Sequence, residues 1–190
     1  MFLNKTKRKI FETSMNLFAK KGYEATSIEE ITSVVGVAKG TLYYHFSSKD
    51  EIFNFLVEEG MNLLKNSILI KTSKVDNAQD KLKAIILIQI KVLIKYEDFI
   101  TILLSQIWGH EPRNIACKNY VFDYINIIEG IIQDGINNGE LDTVDPEVLA
   151  SSIFGFTCSS LLYKIKTQEE LDIHSLYHEY VNVLLGKYFK

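Results

Sequence analysis

The sequence predicts an all-α protein of about nine helices, and three observations predict it. Apolar residues recur at helical spacing along most of the 190-residue chain. Pairs that start helices, S-x-x-E and D-P, stand just before several of those stretches. Only two prolines occur, and both lie at the edges of periodic stretches. No convincing strand pattern or internal repeat is present.

Residues 5–21 read as the first helix, with Ile10, Phe11, Leu17 and Phe18 on one face and Gly22 at its end. Ser27 and Glu30 form a capping box, followed by an apolar face of Ile28, Ile31, Val34 and Val35 and a terminating Gly36. A third, short helix opens at Ala38-Lys39-Gly40-Thr41, with Leu42 and Phe46 on its inner face and Val37 plugging the turn. Ser48 and Glu51 repeat the capping box before a long helix through Ile68. Residues 81–96 and 99–108 read as two buried helices, and 114–137 as a long one broken by Asn137-Asn138-Gly139. Asp145-Pro146 opens a helix to about residue 165, and Thr167 with Glu170 is expected to cap the last.

Residues 26–49 carry the functional signal. Two short helices joined by a tight turn are the form in which many proteins present a helix to a DNA groove. No acidic residue occurs from Val34 to Lys49. The outward positions instead hold Lys39, Gly40, Thr41, Tyr44 and His45, residues suited to phosphate hydrogen bonds, thymine-methyl contact and close backbone approach.

The same run resembles the DNA-binding domain of the TetR/AcrR family of bacterial transcriptional regulators. The matching residues are Leu17-Phe18, Gly22-Tyr23, Thr26-Ser27, Ile31, Gly36-Val37, Gly40-Thr41-Leu42-Tyr43, His45-Phe46 and Lys49. The resemblance implies a three-helix helix-turn-helix DNA-binding domain over residues 1–47 and a helical effector-binding and dimerisation domain over 48–190. It implies phosphate positioning by Thr26, Ser27, Thr41, Tyr43, His45 and Lys49, leaving Lys39, Gly40 and Tyr44 nearest the base edges. The chain departs from the family pattern at Ala38, where a capping Ser is common. The partners implied are a double-stranded palindromic operator, a small-molecule effector and a second copy of the chain, packed through the last two helices. The long helix from Ser48 is the expected lever between DNA and effector.

The spacing of Ser151, Gly155 and Ser159 leaves one helix face nearly bare, as a helix–helix contact needs, within the chain or between two copies. The family's effector pocket falls among the middle helices, where Tyr96, Phe99, Trp108, Tyr120, Tyr124 and Phe154 are the candidate lining. An apolar or aromatic effector follows from such a lining, and the expected function is a repressor that the effector releases. Arg, the commonest reader of guanine, is absent from residues 26–49, so an AT-rich operator read largely through Thr41, Tyr43, Tyr44 and DNA shape is expected.

Charge supports the DNA reading. Residues 1–50 hold eight Lys or Arg against five Asp or Glu, whereas the remainder holds thirteen against nineteen. Lys5, Lys7, Arg8 and Lys9 concentrate the positive charge just ahead of the first apolar residue of helix one, where they gain affinity for a phosphate backbone by counterion release. No apolar run of about 18 residues and no secretory leader is recognisable, so a cytoplasmic protein without membrane partners is expected. Cys117 and Cys158 lack metal-ligand spacing and read as buried thiols.

No Walker loop, nucleophile elbow or dinucleotide fingerprint occurs. His174 and His178 stand one turn apart without further ligands, and His110-Glu111 precedes Pro112 at a helix boundary. Neither pair defines a metal or catalytic centre, so no cofactor, metal or catalytic residue is expected. The competing function is a small helical enzyme or carrier for an apolar substrate with no DNA binding. Salt-dependent, sequence-specific duplex binding eliminates it.

Overall fold

The structure is a computed structural model describing residues 5–142, 145–167 and 170–188. Nine helices occur among these residues: α1 (Lys5–Lys21), α2 (Ile28–Val35), α3 (Lys39–His45), α4 (Lys49–Thr72), α5 (Ala78–Lys95), α6 (Glu97–Gln106), α7 (Pro112–Asn137), α8 (Pro146–Thr167) and α9 (Ile173–Leu185). The chain forms two compact units, residues 1–60 with 98–119 and residues 61–97 with 120–190. Both α4 and α7 contribute residues to each unit.

The first unit is built on the apolar faces of α1 to α4. Ile10, Ile31, Leu42, Phe46, Phe53 and Leu56 are all buried. Phe18, Tyr23 and Phe53 form a cluster of tilted and edge-on rings with centroids 5.2–6.0 Å apart, an arrangement the ring quadrupole favours. The expected α2 face is narrower than its sequence suggested: Val34 is 62% exposed. Lys5, Lys7, Arg8 and Lys9 lie in the first turns of α1. Lys7 lies over the Phe55 ring at 4.3 Å and Arg8 pairs with Glu12 at 2.8 Å.

At the start of α4, Ser48 Oγ accepts from the Glu51 amide at 3.0 Å. The Glu51 carboxylate reaches back one residue further than a capping box requires, accepting from the amide and hydroxyl of Ser47 at 2.6 Å each. In the same unit, the Phe99 ring fills the space that a Cβ on Gly60 would occupy. That ring is buried in the core of this unit.

In the second unit, α5 packs against α8 and α9. Asn77 caps α5 by accepting from the Asp80 amide at 2.8 Å, and Asp145 caps α8 through the Val148 amide at 3.1 Å. Thr167 does not cap the last helix. It ends α8, its hydroxyl donating to Tyr163 O at 2.9 Å, while Asp172 caps α9 by accepting from the His174 amide at 2.9 Å. Contrary to the sequence-based expectation, α8 is long and apolar enough to cross a membrane. Its Ala150, Ile153, Phe154, Cys158 and Leu161 are instead buried within this unit. Both cysteines are free and buried, and burial pushes the Cys117 thiol up to about 12.

Candidate nucleic-acid interface

The turn between α2 and α3 is held by backbone geometry. Ser27 Oγ accepts from the Glu30 amide at 3.1 Å, satisfying one donor at the start of α2. The Glu30 carboxylate pairs with Lys21 rather than closing the box. Gly36 adopts φ 77°, ψ 40°, the left-handed cap that glycine accepts without a Cβ clash. The amides of Gly36 and Val37 both donate to Thr32 O, at 2.9 and 3.1 Å.

Ala38 begins α3 without a side-chain cap. Its carbonyl accepts from Thr41 and Leu42 at 2.9 and 3.3 Å, and burial of Leu42 and Phe46 pins the helix from below. The outer face is therefore left to Lys39, Gly40, Thr41, Tyr43 and Tyr44, all exposed, with His45 half-buried. Tyr44 is 84% exposed, beyond what packing requires of an aromatic side chain. Its ring meets His45 edge-on at 5.1 Å.

Lys39, the one Lys or Arg in α3, is not idle on this face. Its ammonium lies 2.5 Å from the Glu29 carboxylate and 5.9 Å from the Tyr43 ring centroid. The hydrogen bond with Glu29 raises the Lys39 pKa and lowers that of Glu29. Glu29 is a participant that the sequence reading missed; its signal was its place one residue before Glu30 in an otherwise acid-poor motif.

Two expected phosphate ligands are turned inward. Thr26 is fully buried and its hydroxyl donates to Gly22 O at 2.9 Å. The Lys49 ammonium donates to Tyr23 O at 2.8 Å and Thr26 O at 3.0 Å, and lies 4.2 Å from the Tyr23 ring centroid. Both side chains fasten the turn between α1 and α2. Ser27 remains exposed. The Tyr23 hydroxyl donates to Asp50 at 2.6 Å, and burial is the main cause of its raised pKa. Arg113, from the first turn of α7, adds its guanidinium 4.3 Å from the same ring and pairs with Glu24.

The six candidate effector residues divide between the two units. Phe99 and Trp108 belong to the first unit, and Trp108 is 81% exposed. Tyr96, Tyr120, Tyr124 and Phe154 belong to the second. Tyr120 and Tyr124 line one small niche of about 60 Å³. Tyr124 packs on Phe154 with ring centroids 5.6 Å apart, while Tyr96 is half-buried at the end of α5.

The outer face of α8 is bare, as its small residues predicted. Ser151, Gly155 and Ser159 are exposed, and a Cβ on Gly155 would meet nothing within 4 Å. Val148, Tyr163 and Val183 are exposed as well, and Val148, Ser151, Gly155 and Val183 line an open groove of about 590 Å³ along α8 and α9.

Residues 10–56 match the family model described as bacterial regulatory proteins, tetR family, and residues 75–162 match that of the tetracyclin repressor-like C-terminal domain. A solved Clostridium perfringens regulator named for fatty acid metabolism is 35% identical, covering 94% of this chain and 97% of that one with a TM-score of 0.87. The HTH-type regulator YerO of Bacillus subtilis is 35% identical over 124 residues, 63% of this chain and 42% of the relative, so the match spans under half of that protein. The structure of FadR from Bacillus subtilis in complex with stearoyl-CoA is 22% identical, covers 94% of this chain and 97% of that one, and has a TM-score of 0.83. With a fixed helix-turn-helix on the first unit and a full-length relative at this identity, the chain belongs to the TetR family of DNA-binding bacterial transcriptional regulators.

Proposed function

We propose that the protein is a homodimeric repressor that leaves a palindromic operator when it binds an acyl-coenzyme A. It acts in the cytoplasm, where its DNA is, and is not an enzyme. The observation that carries the DNA half is the outer face of α3, where a cation, a glycine, a threonine and two tyrosines are exposed on a helix pinned by Leu42 and Phe46. In this reading residues 1–47 bind DNA, and residues 48–190 bind effector and dimerise. Ser27, Thr41, Tyr43 and His45 position the phosphates, and Lys39, Gly40 and Tyr44 approach the bases.

Dimerisation follows from the α8–α9 face. One seven-residue helix reads few base pairs, whereas two related by a twofold axis read a palindrome. The small residues of α8 allow close approach, and an isologous contact supplies the symmetry.

The acyl-coenzyme A assignment draws on the relatives named for fatty acid metabolism and on the stearoyl-CoA held by FadR. The aliphatic core of the second unit suits such a chain. Effector binding releases DNA only to the extent that it favours the conformation in which the two α3 helices no longer fit the operator. With residues in both units, α4 is the lever of this reading.

Fluorescence anisotropy of the full chain on genomic fragments flanking its own gene tests the reading. Nanomolar, salt-sensitive binding to one palindrome, reversed by butyryl- to stearoyl-coenzyme A and not by coenzyme A alone, is the expected result. Binding that ignores sequence, or a complex indifferent to every thioester in that series, contradicts it.

A further inference from the structure

The second unit carries polar atoms where its composition gives them no purpose. Gln89 stands within the apolar run Ala84-Ile85-Ile86-Leu87-Ile88-Gln89-Ile90 of α5 and is completely buried. Its Nε2 donates to the Tyr124 hydroxyl at 3.0 Å, but its Oε1 has no hydrogen-bond partner among the described residues. Thr157 on α8 is also completely buried, and its hydroxyl has no partner there either. A threonine inside a helix ordinarily donates to a carbonyl one turn back. Buried polar groups are satisfied in the great majority of cases, so two exceptions in one core need a reason.

Tyr124 connects them. Its hydroxyl holds Gln89, its ring packs on Phe154 one turn before Thr157, and it feels Cys158, the residue after Thr157. Tyr124 also lines the small niche together with Asn62, Lys65 and Asp123. At about 60 Å³ that niche holds no acyl chain as it stands. Tyr124 is the residue that the niche lining and the Gln89 hydrogen bond have in common.

We infer that Gln89 and Thr157 receive the polar neck of the acyl-coenzyme A, and that Tyr124 is the side chain displaced as it enters from the α4–α7 niche. This rests on the acyl-coenzyme A reading above. The chemistry matches: a thioester carbonyl accepts from the Thr157 hydroxyl, and the first pantetheine amide, two methylenes beyond the sulfur, donates its N–H to Gln89 Oε1. A simple fatty acid or hydrocarbon offers no such amide. The site therefore discriminates the thioester from the free acid through groups left unpaired when the wrong ligand enters.

The full chain on its operator tests this with butyryl- to stearoyl-coenzyme A, the matching free acids, and four variants. Gln89→Leu and Thr157→Val remove the unpartnered groups at nearly constant volume. Thr157→Val should melt at or above the wild-type temperature, and Gln89→Leu, which strips the buried Tyr124 hydroxyl of its donor, somewhat below it; both should bind operator unchanged and require about tenfold or more thioester for half-release, the effect of one lost hydrogen bond of about 1.4 kcal/mol. Tyr124→Phe frees Gln89 from its internal partner and should lower the half-release concentration. Ser14→Ala, which removes an unpartnered buried hydroxyl in the first unit, should melt higher with an unchanged response. Half-release concentrations that stay within twofold of wild type in Thr157→Val, Gln89→Leu and Tyr124→Phe overturn the inference while leaving the acyl-coenzyme A reading intact. A wild-type complex that no thioester dissociates overturns both. Equal response to free acids and thioesters overturns the assignment of Gln89 to the pantetheine amide.

Discussion

The Arg113 guanidinium lies 4.3 Å from the centroid of the Tyr23 ring, although 90 residues separate the two. Lys49 approaches the same ring at 4.2 Å, and Asp50 accepts from its hydroxyl at 2.6 Å. One tyrosine thus ties the α1–α2 turn to the starts of α4 and α7. Partly desolvated cation–π contacts of this kind contribute about 0.5–2 kcal/mol each. Arg113→Ala should lower the stability of the first unit by about 1–2 kcal/mol, and Tyr23→Phe, which strips Asp50 of its donor, by about 1.5–3 kcal/mol. Chemical denaturation followed by far-UV circular dichroism measures both. A stability unchanged in Tyr23→Phe would show that the Asp50 bond is dispensable.

The Glu29–Lys39 pair makes a prediction opposite in sign to most interface variants. On DNA, Lys39 must exchange a carboxylate for a phosphate or base edge, and Glu29 is left as a negative charge beside the duplex. Glu29→Gln should therefore tighten operator binding, most at low salt, where unscreened charges act furthest. Lys39→Ala should weaken it and reduce the slope of log affinity against log salt by about one. Anisotropy titrations at several salt concentrations measure both quantities. Weaker binding by Glu29→Gln would mean that the pair orders α3 rather than restrains it.

Local signals in the sequence were sufficient for most of the fold. Ser27 with Glu30, Gly36, and Asp145-Pro146 each fixed a helix boundary through atoms within four residues of one another. Thr167-x-x-Glu170 matched the same template and failed, because α8 continues to Thr167 and Asp172 supplies the cap instead. At the interface, family spacing located Thr26 and Lys49 but carried no information on their direction. Their inward turn depends on carbonyls released at the α1–α2 turn, some 25 residues from Lys49 in sequence. The Arg113–Tyr23 contact had no local signature. Gln89 does have one, a lone amide in an isoleucine-rich stretch.

Acid should destabilise the start of α4. The Ser47 hydroxyl and amide hold the Glu51 carboxyl below its ordinary value of 4.5. A group depressed in the folded state contributes stability fully above its unfolded value and loses it as pH falls through the folded one. The melting temperature should therefore drop as pH falls below about 4.5, and Glu51→Gln should flatten part of that drop while melting lower at neutral pH. Because Glu51 is exposed, the effect is a fraction of the total acid sensitivity. Melting curves of both proteins across the acid range measure it; parallel profiles would assign the sensitivity to other carboxylates.

Operator composition tests the recognition face itself. With no Arg between Thr26 and Lys49, the commonest guanine reader is absent and Lys39 is the one Lys or Arg of α3, whereas Thr41 and the tyrosine rings suit thymine methyls and groove shape. Selection from random duplexes should return an AT-rich palindrome. Tyr44→Ala, at a position 84% exposed and therefore free of packing cost, should lose about 1–3 kcal/mol of specific binding with little change in melting temperature. A GC-rich consensus would contradict the AT-rich reading and assign guanine contacts to Lys39 or to a residue outside α3.

The dimer face allows a variant that separates folding from assembly. A Cβ on Gly155 meets nothing within 4 Å in the same chain, and the neighbouring Ser151 and Ser159 are exposed. Gly155→Arg therefore costs the isolated chain nothing in packing, and replacing a mid-helix glycine removes a penalty of up to about 1 kcal/mol. Between two copies the same side chain places a charge and five donors where small residues allow helices to touch. Sedimentation should show a helical monomer in place of a dimer, and operator affinity should fall at least a hundredfold because each α3 then binds alone. A Gly155→Arg dimer with wild-type operator affinity would move the interface away from α8.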